Sequence, residues 1–575
     1  MVFNFSLFTV VKGGGMEEKI VIKNFQDVPI LSISLQSTLW NKTGTWRYLR
    51  PSYISFRAPC SQACPIEQDI PFYLTSLADG NLKEAWQKML EANPFPAVCG
   101  RVCHHPCERE CNRKEYDEAL AIHALERFLG DWGIKGGKIE PKREKRDEKI
   151  AVIGSGPAGL SCAYFLSRKG YPVRVFEGMN EPGGMLRYGI PEYRLPRRVL
   201  NKEIERIESL GVEIQTGMRF GCDLGLEDLK PYGAVFFATG AQAEQRPMIT
   251  GSDHQGVWHG LSFLQEIHSQ KRPSLGKKVA VIGGGNTAID SARAAWRLGG
   301  KVTVVYRRAK EAMPAIAEEV EEASQEGVEF IFNAVPVKVI DKKGKVQAIE
   351  CLRTKPGKAD ASGRKKPVPI KGSNFSLPAD SLILAVGERA DLSFLPQGMK
   401  SENGLITADF WGRTTVPGIF AGGDAATGQG YVSQAIASGK RAALAIERFL
   451  EKDRPDPPQN GREVAGFERI NLDYFPRAPR AKLPSLPVPV RARGFKEVHG
   501  GLGGLKAQKE AERCFSCGNC IRCHVCLVVC PDVAIAFNEK ENGYLIDTDH
   551  CKGCGICAVE CPRSALILEE EKWSE

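Results

Sequence analysis

The sequence lacks long uncharged apolar runs, a secretory leader and a strong excess of either charge. No window supplies the roughly 18 apolar residues that a membrane helix needs. The start, MVFNFSLFTVVKGGGMEEK, lacks the basic region and the cleavage site of a signal peptide. We interpret it as an extension, with Met16 as an alternative first residue. The net charge of +9 over 575 residues is too dilute to indicate nucleic-acid binding, and the length predicts several domains.

Cysteine is abundant but unevenly placed. Of 19 cysteines, 16 fall within Cys60–Cys111 and Cys514–Cys561. In a long chain such clusters indicate metal binding rather than a disulfide framework, and they need reducing conditions. We therefore predict a cytoplasmic protein of an anaerobic or microaerophilic cell. The other three, Cys162, Cys222 and Cys351, are isolated, so residues 149–450 hold no closely spaced redox pair, which argues against a disulfide reductase.

The stretch KIAVIGSGPAGLSCAYFLSRKGYPVRVFE (149–177) predicts strands at Ile150–Ile153 and Val173–Phe176 around a glycine-rich turn and a helix. The first glycine permits the tight turn, the second lets backbone approach a pyrophosphate, and the third lets the helix pack on the strand. The acid that ends the second strand can accept hydrogen bonds from ribose hydroxyls. The predicted dinucleotide site comprises Gly154, Gly156, Pro157, Ala158, Gly159 and Glu177.

A second unit of this kind lies in KKVAVIGGGNTAIDSARAAWRLGGKVTVVYRR (277–308). Here the strand after the helix ends on two arginines rather than on an acid. Guanidinium groups suit a 2′-phosphate, so we favour NADPH over NADH. The alternative is that these arginines pair with surface acids such as Glu318 or Glu319. The predicted residues are Gly283, Gly285, Asn286, Thr287, Ala288, Arg307 and Arg308.

A third segment, TTVPGIFAGGDAATGQGYVSQAIASGKRAALAI, resembles the second FAD motif of flavoproteins with two dinucleotide-binding domains. The runs FATG (237–240) and AVGE (385–388) resemble the strand-to-loop crossings of that family. The resemblance implies that FAD binds the first unit, with Gly423 and Asp424 contributing, and that NAD(P)H binds the second. The nicotinamide domain would then be inserted between two halves of the FAD domain.

Two runs near the end of the chain repeat one spacing: Cys520-x2-Cys523-x2-Cys526-x3-Cys530-Pro531 and Cys551-x2-Cys554-x2-Cys557-x3-Cys561-Pro562. This is the spacing of bacterial two-cluster ferredoxins, in which the fourth cysteine of each run ligates the other cluster. We predict one [4Fe–4S] cluster on Cys520, Cys523, Cys526 and Cys561, and another on Cys551, Cys554, Cys557 and Cys530. Zinc ribbons lack the repeated triplet that ends in Cys-Pro. The pair Cys514 and Cys517 continues the spacing upstream; spare cysteines, a shifted register and ligands of another group all stay open.

The N-terminal cysteines carry a more specific resemblance. Cys60-x3-Cys64-Pro65, NPFPAVCGRVCHHPCERECNR and AIHALERF resemble the iron–sulfur domain of the small subunit of NADPH-dependent glutamate synthase. NADH-dependent ferredoxin:NADP oxidoreductase and dihydropyrimidine dehydrogenase share that domain. The segment GGMLRYGIPEYRLP (183–196) extends the resemblance and adds Gly184, Met185 and Leu186 to the predicted FAD-binding residues.

This sequence departs from the family at one point. The family places two further cysteines before its CxxxCP element, and the stretch Ser52–Pro59 has none. We therefore expect one N-terminal cluster instead of two. The resemblance implies Cys64, Cys103 and Cys107 as its ligands with Glu126 as the fourth, while Cys60, Cys99 and Cys111 are left over or one of them replaces Glu126.

These patterns together predict an α/β multidomain fold with seven segments. They are an extension (1–57), a helical iron–sulfur domain (58–145), the first part of an FAD domain (146–250), a Rossmann-like NAD(P)H domain (251–380), the second part of the FAD domain (381–455), a linker (456–510) and an α+β two-cluster ferredoxin domain (511–575). The expected activity is electron transfer between NAD(P)H, FAD and [4Fe–4S] clusters. Hydride chemistry belongs to the cofactors, so we predict no catalytic side chain.

The electron acceptor is less constrained. NKTGTWRYLRP (41–51) resembles the N-terminal segment of the ferredoxin-like subunit of 2-oxoacid:ferredoxin oxidoreductases, which suggests such an enzyme as partner. Ferredoxin, an aldehyde oxidoreductase or another anaerobic redox complex are alternatives. An electron-bifurcating subunit, a glutamate synthase small subunit and a non-catalytic wiring subunit also stay open.

Overall fold

The computed structural model describes residues 42–137, 145–245, 247, 249–269, 271–359, 363–453 and 462–571. Most of the predicted extension, including Met16, lies outside this part of the chain. The chain divides into two compact units. Among the described residues, the first unit contains 42–52, 524–557 and 568–571, and the second contains 53–523 and 558–567.

The second unit begins with a helical domain that carries six cysteines. Its helices are short, with proline opening α1, α4 and α5, a position where the missing N–H costs no hydrogen bond. They are α1 Pro59–Ala63, α2 Ile70–Ala78, α3 Leu82–Leu90, α4 Pro96–Val102, α5 Pro106–Arg109 and α6 Ile122–Gly136. They follow strand β1 Leu49–Tyr53, which pairs with the last strand of the chain.

The first dinucleotide-binding domain is built on a parallel five-stranded sheet. Its two central strands are short and fully buried, as expected for a sheet covered on both faces. The elements from 150 to 237 are β2 Ile150–Ile153, α7 Pro157–Arg168, β3 Val173–Phe176, α8 Met185–Tyr188, α9 Arg197–Glu208, β4 Glu213–Gln215, α10 Leu226–Leu229 and β5 Ala234–Phe237. The predicted bounds of the first two strands agree with the structure.

The second dinucleotide-binding domain contains another parallel five-stranded sheet and an antiparallel three-stranded one. Its elements are β6 Ala243–Glu244, β7 Val257–His259, α11 Gly260–His268, β8 Lys278–Ile282, α12 Asn286–Arg297, β9 Lys301–Tyr306, α13 Ala317–Gln325, β10 Glu329–Phe332, β11 Ala334–Lys342, β12 Lys345–Ala359, β13 Lys365–Pro378 and β14 Ser381–Leu384. The parallel strand order is β10-β9-β8-β14-β7, and the antiparallel order is β11-β12-β13.

The chain then returns to the first sheet. Its next elements are β15 Glu388–Arg389, β16 Ser401–Glu402, β17 Leu405–Ile406, β18 Ile419–Ala421, α14 Asp424–Thr427 and α15 Val432–Leu450. Strand β18 pairs in parallel with β5, which gives the order β18-β5-β2-β3-β4. The nested arrangement of two Rossmann-like domains is thereby confirmed.

The segment predicted as a linker is described from residue 462 and belongs to the second unit. It contains α16 Val488–Arg491 and α17 Gly504–Glu512. The Arg480 guanidinium donates to the Leu120 carbonyl at 3.0 Å, and the Val498 N–H donates to the Tyr193 carbonyl at 2.9 Å. Hydrogen bonds therefore join this segment to both the helical and the α/β parts.

The last elements are α18 Val525–Val528, β19 Ile535–Asn538, β20 Gly543–Ile546, α19 Ile556–Val559 and β21 Leu566–Glu570. Strands β19 and β20 form an antiparallel pair. The predicted fold class, with a helical iron–sulfur domain, two dinucleotide domains and a terminal α+β ferredoxin domain, is confirmed. Across the described ranges, no helix is long and apolar enough to cross a membrane.

Candidate functional site

The first glycine-rich turn is fixed by close backbone contacts. A Cβ at Gly154, whose φ is +105°, would lie 2.4 Å from the Ala238 carbonyl oxygen. A Cβ at Gly159 would lie 1.9 Å from the Gly154 carbonyl oxygen, so α7 can approach β2 only with glycine here. At Gly156 the Cβ would meet nothing within 4 Å. The middle glycine therefore leaves open space where the dinucleotide fingerprint places a pyrophosphate.

That space belongs to a cavity of about 620 Å³. Its lining includes the predicted residues Gly154, Gly156, Pro157, Ala158, Glu177, Gly184, Met185 and Asp424. The buried Thr239 hydroxyl, which also faces the cavity, has no hydrogen-bond partner in the protein. An unpaired polar group beside open glycine backbone fits a polar cofactor such as FAD. Leu186 instead packs in the hydrophobic core. Gly423 packs against Ala158 of the cavity lining: a Cβ at Gly423 would lie 2.9 Å from the Ala158 Cβ.

Glu177 is placed at the end of β3 as predicted, but its carboxylate is already engaged. Its Oε2 accepts the Ser155 N–H at 2.9 Å, and its Oε1 accepts the Met179 N–H at 2.8 Å. The residue therefore shapes the loops around the cavity in addition to lining it.

The second glycine-rich turn repeats this construction. A Cβ at Gly283 would lie 2.1 Å from the Ala385 carbonyl oxygen, whereas at Gly285 it would meet nothing within 4 Å. Ala288 is fully buried behind the turn. The Asn286 side chain accepts the Ile316 N–H at 3.0 Å, so it holds the following loop in place. Thr287 donates a hydrogen bond to Glu388, which opposes the rise in the pKa of that carboxyl caused by burial.

The two arginines after β9 have different surroundings. The Arg307 side chain is exposed, whereas Arg308 is buried and donates from Nε to the Lys365 carbonyl oxygen at 2.9 Å. Of the two acids named in the alternative, Glu319 is engaged elsewhere, since its carboxylate pairs with Arg194 and Arg293. Only Arg307 thus keeps its guanidinium directed to solvent beside the turn.

Each compact unit contains cysteines of the ferredoxin repeat. In the first unit, Cys551 interacts electrostatically with Cys530 and Cys554. Cys557 interacts with these three cysteines and also with Cys526. In the second unit, Cys520 interacts with Cys523 and Cys561.

Both halves of the repeat show the same local geometry around their last cysteine. The Ala534 N–H points to the Cys530 sulfur at 3.3 Å, and the Ala565 N–H points to the Cys561 sulfur at 3.3 Å. Hydrogen bonds of this kind to sulfur tune the potential of an iron–sulfur cluster. The geometry therefore fits cluster ligation at both positions.

In the helical domain, Cys64, Cys99, Cys103 and Cys107 form one buried group around Glu126. The glutamate lies on α6 and is 5% exposed. Burial raises its pKa to about 7, although hydrogen bonds from Gln68 and Asn93 oppose the rise. The predicted ligands Cys64, Cys103, Cys107 and Glu126 are thus brought together, and Cys99 lies with them.

Gln68 and Asn93 are site residues that the sequence did not reveal. Each donates a hydrogen bond at 2.8 Å to the same Glu126 oxygen, and the Asn93 carbonyl oxygen accepts from the Cys99 thiol. Two fully or nearly buried amides on one carboxylate fix its orientation toward the cysteines. Asn93 is the first residue of the motif NPFPAVC. A polar side chain at the start of this otherwise apolar run was the sequence signal that could have identified it as a site residue.

This cysteine group adjoins the dinucleotide cavity. Helix α15 supplies Ala435 to the cavity lining and, two residues earlier, the buried Ser433, which lies beside Cys103. Next to these, the His104 ring stacks on Tyr431 with centroids 4.1 Å apart. One helix therefore contacts both the predicted flavin site and the nearest cysteine group.

The remaining cysteines of the helical domain, Cys60 and Cys111, lie in a second group together with Cys514 and Cys517. The sequence left the roles of all four open. A separate group of polar side chains, His105, Glu108 and His123, lies beside Cys107, with the Glu108 carboxylate also paired to Arg480.

Comparison with known proteins agrees with this architecture. Three family models match the chain: pyridine nucleotide-disulphide oxidoreductase over residues 148–442, dihydropyrimidine dehydrogenase domain II with a 4Fe-4S cluster over 54–138, and the 4Fe-4S dicluster domain over 519–565. The match over both cysteine regions places iron–sulfur domains at both ends.

Three curated relatives align over most of their length. The chain is 40% identical to the beta subunit of NADP(+)-dependent formate dehydrogenase of Moorella thermoacetica, covering 80% of this chain and 70% of that protein. It is 36% identical to NADPH-Fe(3+) oxidoreductase subunit beta of Geobacter sulfurreducens, covering 80% and 75%. It is also 36% identical to the glutamate synthase (NADPH) small chain of Escherichia coli, covering 68% and 88%.

The fold and its two glycine-lined turns define an NAD(P)H-dependent flavoprotein oxidoreductase subunit that carries [4Fe–4S] clusters at both ends. The chain belongs to the pyridine nucleotide-disulphide oxidoreductase family, in the group that includes the glutamate synthase small chain. The predicted resemblance and the predicted cofactor types, FAD, NADPH and [4Fe–4S] clusters, are thereby confirmed.

Proposed function

We propose that this chain takes the two electrons of a hydride from NADPH and exchanges them, one at a time, with a partner subunit of a redox complex. FAD, when bound, supplies the conversion between two-electron and one-electron chemistry. The observation that carries this proposal is the contact of α15 with both the dinucleotide cavity and Cys103. The residues we propose for the two nucleotide sites and the cluster sites are those predicted from the sequence, with Leu186 and Arg308 acting structurally.

The preference for NADPH rests on Arg307. Replacing it with alanine should raise KM for NADPH about 10- to 100-fold and leave KM for NADH nearly unchanged, because one charge-assisted hydrogen bond is worth roughly 1.5–3 kcal/mol. Steady-state dye reduction with each coenzyme measures this ratio. Arg272→Ala is the matched control, since this exposed arginine precedes β8 at the opposite end of the sheet. An unchanged NADPH-to-NADH ratio in Arg307→Ala would contradict the assignment.

The proposal also concerns the identity of the partner enzyme. In the first unit, the segment 42–52 packs on the ferredoxin repeat: the Gly44 N–H donates to the Asp549 carbonyl at 2.8 Å, and the Arg47 guanidinium donates to the Cys551 carbonyl at 3.0 Å. This placement supports the resemblance to the ferredoxin-like subunit of 2-oxoacid:ferredoxin oxidoreductases. We infer that the chain replaces that subunit and connects such an enzyme to NADP. A formate-oxidising partner is the alternative that the name of one relative favours. An aldehyde oxidoreductase is a further alternative.

An anaerobic titration of the purified chain with NADPH, and separately with NADH, tests the core of the proposal. We expect NADPH to bleach the flavin absorbance and then to produce EPR signals of reduced clusters. Reduction by NADH alone would overturn the coenzyme assignment and leave the relay intact. If neither coenzyme reduced a fully loaded protein, the wiring-subunit alternative would replace the proposal.

A further inference from the structure

Helix α17, which follows the predicted linker, packs into the helical iron–sulfur domain. The Gln508 side-chain amide donates to the Ala78 carbonyl at 2.8 Å, at the end of α2. The buried Glu510 carboxylate accepts the Ala121 N–H at 2.8 Å, just before α6. The start of the C-terminal cysteine region is therefore anchored in the N-terminal domain of the same compact unit.

The residues after α17 continue this contact. The Arg113 guanidinium, which is 1% exposed, donates to the Arg513 carbonyl at 3.0 Å and lies 4.7 Å from the Phe515 ring centroid. The Phe56 N–H donates to the Gly518 carbonyl at 3.2 Å. These bonds hold both ends of the Cys514–Cys517 loop against the α1 region and the α5–α6 connection.

Four cysteines consequently face one small internal cavity. Its lining contains Cys60, Cys111, Cys514 and Cys517, and burial raises the pKa of each of these thiols. The Asn112 side-chain amide, also buried, donates to the Cys517 sulfur at 3.4 Å. Four cysteine sulfurs around one cavity make up the four-thiolate ligand set that a [4Fe–4S] cluster takes.

We propose that Cys60, Cys111, Cys514 and Cys517 together ligate a second [4Fe–4S] cluster of the helical domain, assembled from both ends of the chain. The Cys514-x2-Cys517 pair supplies the two ligands that the Ser52–Pro59 stretch lacks. This replaces the expectation of a single N-terminal cluster.

The spacing of the four sulfurs distinguishes a cluster from a single ion. In a tetrahedral zinc site with Zn–S of about 2.3 Å, all sulfurs lie within roughly 4 Å of one another. Within the described residues, His105, Glu108 and His123 form the one group of three or more such ligand atoms that all lie within 4.8 Å. The four cysteine sulfurs are therefore more widely spaced than a mononuclear site requires. All four are free cysteines rather than disulfides.

The position of this site connects the two cysteine regions. Cys60 lies four residues before Cys64, which belongs to the group beside the flavin cavity, and Cys517 lies three residues before Cys520 of the ferredoxin repeat. Three residues span at most about 10 Å of extended chain. The cluster thus occupies the interval between the first N-terminal group and the first ferredoxin ligands, where a relay needs a centre.

Removing the two C-terminal ligands tests the proposal on the full, FAD-loaded chain. Cys514→Ala/Cys517→Ala should lose about four iron and four sulfide per chain and one EPR signal after dithionite reduction, with FAD content unchanged. Cys60→Ala should lose the same signal, and the triple variant should lose no more iron than either. Cys222→Ala, an exposed isolated cysteine, is the matched control and should lose nothing. Full iron content in the double variant, or different signals lost from Cys60→Ala and the double variant, would overturn the proposal.

Two measurements keep the test decisive if those variants misfold. The reconstituted wild-type chain should contain about sixteen iron atoms, whereas three clusters would give about twelve. Asn112→Leu keeps all four cysteines but removes an N–H···S bond, so it should lower the midpoint potential of one cluster only. An iron content near twelve atoms per chain would refute the four-cysteine site. It would also be refuted if Asn112→Leu shifted the potential of the cluster whose EPR signal is lost in Cys64→Ala.

Discussion

Glu326→Ala should destabilise the second dinucleotide domain by about 3–5 kcal/mol, because it leaves the buried Arg297 guanidinium without the carboxylate that pairs with it and removes one of the carboxylates around Arg293. Glu326 is 2% exposed. Its carboxylate accepts two hydrogen bonds from Arg293, at 2.8 and 3.0 Å, and two from Arg297, both at 2.9 Å. Arg491 of α16 lies 3.5 Å from the same carboxylate. Hydrogen-exchange mass spectrometry of peptides covering α12 and α13 measures the loss as a local free energy of unfolding.

A surface pair in the same domain provides the control for this variant. Glu329 pairs with Lys301 at 2.8 Å, but both side chains are more than half exposed, so Glu329→Ala should cost less than about 1 kcal/mol. Equal effects of the two substitutions would show that the Glu326 network does not stabilise the domain.

The effect of Glu326→Ala should also depend on pH. Burial alone would raise the pKa of Glu326, but the hydrogen bonds from Arg293 and Arg297 outweigh it and hold the pKa below its ordinary value. A depressed folded-state pKa stabilises the fold above the ordinary glutamate pKa of about 4.3 and loses that contribution as the pH falls through the folded value. The stability gap between wild type and variant should therefore be full at pH 7 and narrow below about pH 4, as measured by urea unfolding.

The parts of this molecule that follow from local sequence were predictable. The bounds of β2 and β3 agree with prediction because each is an apolar run whose end is marked by a residue of the dinucleotide fingerprint. The spacing of the ferredoxin cysteines likewise predicted a two-cluster domain, which the family match over residues 519–565 confirms. In both cases the residues that define the feature are neighbours in the chain, so no knowledge of tertiary packing is needed.

Features that depend on distant segments were not predictable. The sequence left Cys60 and Cys111 without an assigned role because the cysteines that lie with them, Cys514 and Cys517, come from the far end of the chain, just after α17. Arg307 and Arg308 look equivalent in sequence, but β13 supplies a carbonyl that engages only Arg308. Sequence patterns state which residues can bind a group, whereas tertiary packing decides which of them remain free to do so.

Gly156→Val should weaken FAD binding at least about 100-fold, or roughly 2.7 kcal/mol, while the fold stays intact. At this position the backbone has φ −69° and ψ 177°, which valine adopts without strain, and its Cβ would meet no protein atom within 4 Å. The added side chain therefore enters the space of the predicted pyrophosphate from its Cβ outward. Flavin content of the anaerobically purified protein, together with circular dichroism, measures both expectations.

Gly285→Val is the matched substitution in the second turn, where the backbone is equally extended and the Cβ position equally open. It should retain FAD and all iron but lower kcat/KM for NADPH about 100-fold. Gly503→Val is the control, because Gly503 also precedes a helix with open space around its Cβ but lies in no dinucleotide turn. The reverse pattern, with flavin lost from Gly285→Val and retained in Gly156→Val, would mean that the two dinucleotides occupy opposite domains. Because both backbone conformations suit valine and circular dichroism checks the fold of each variant, either result reports on the bound nucleotide rather than on folding.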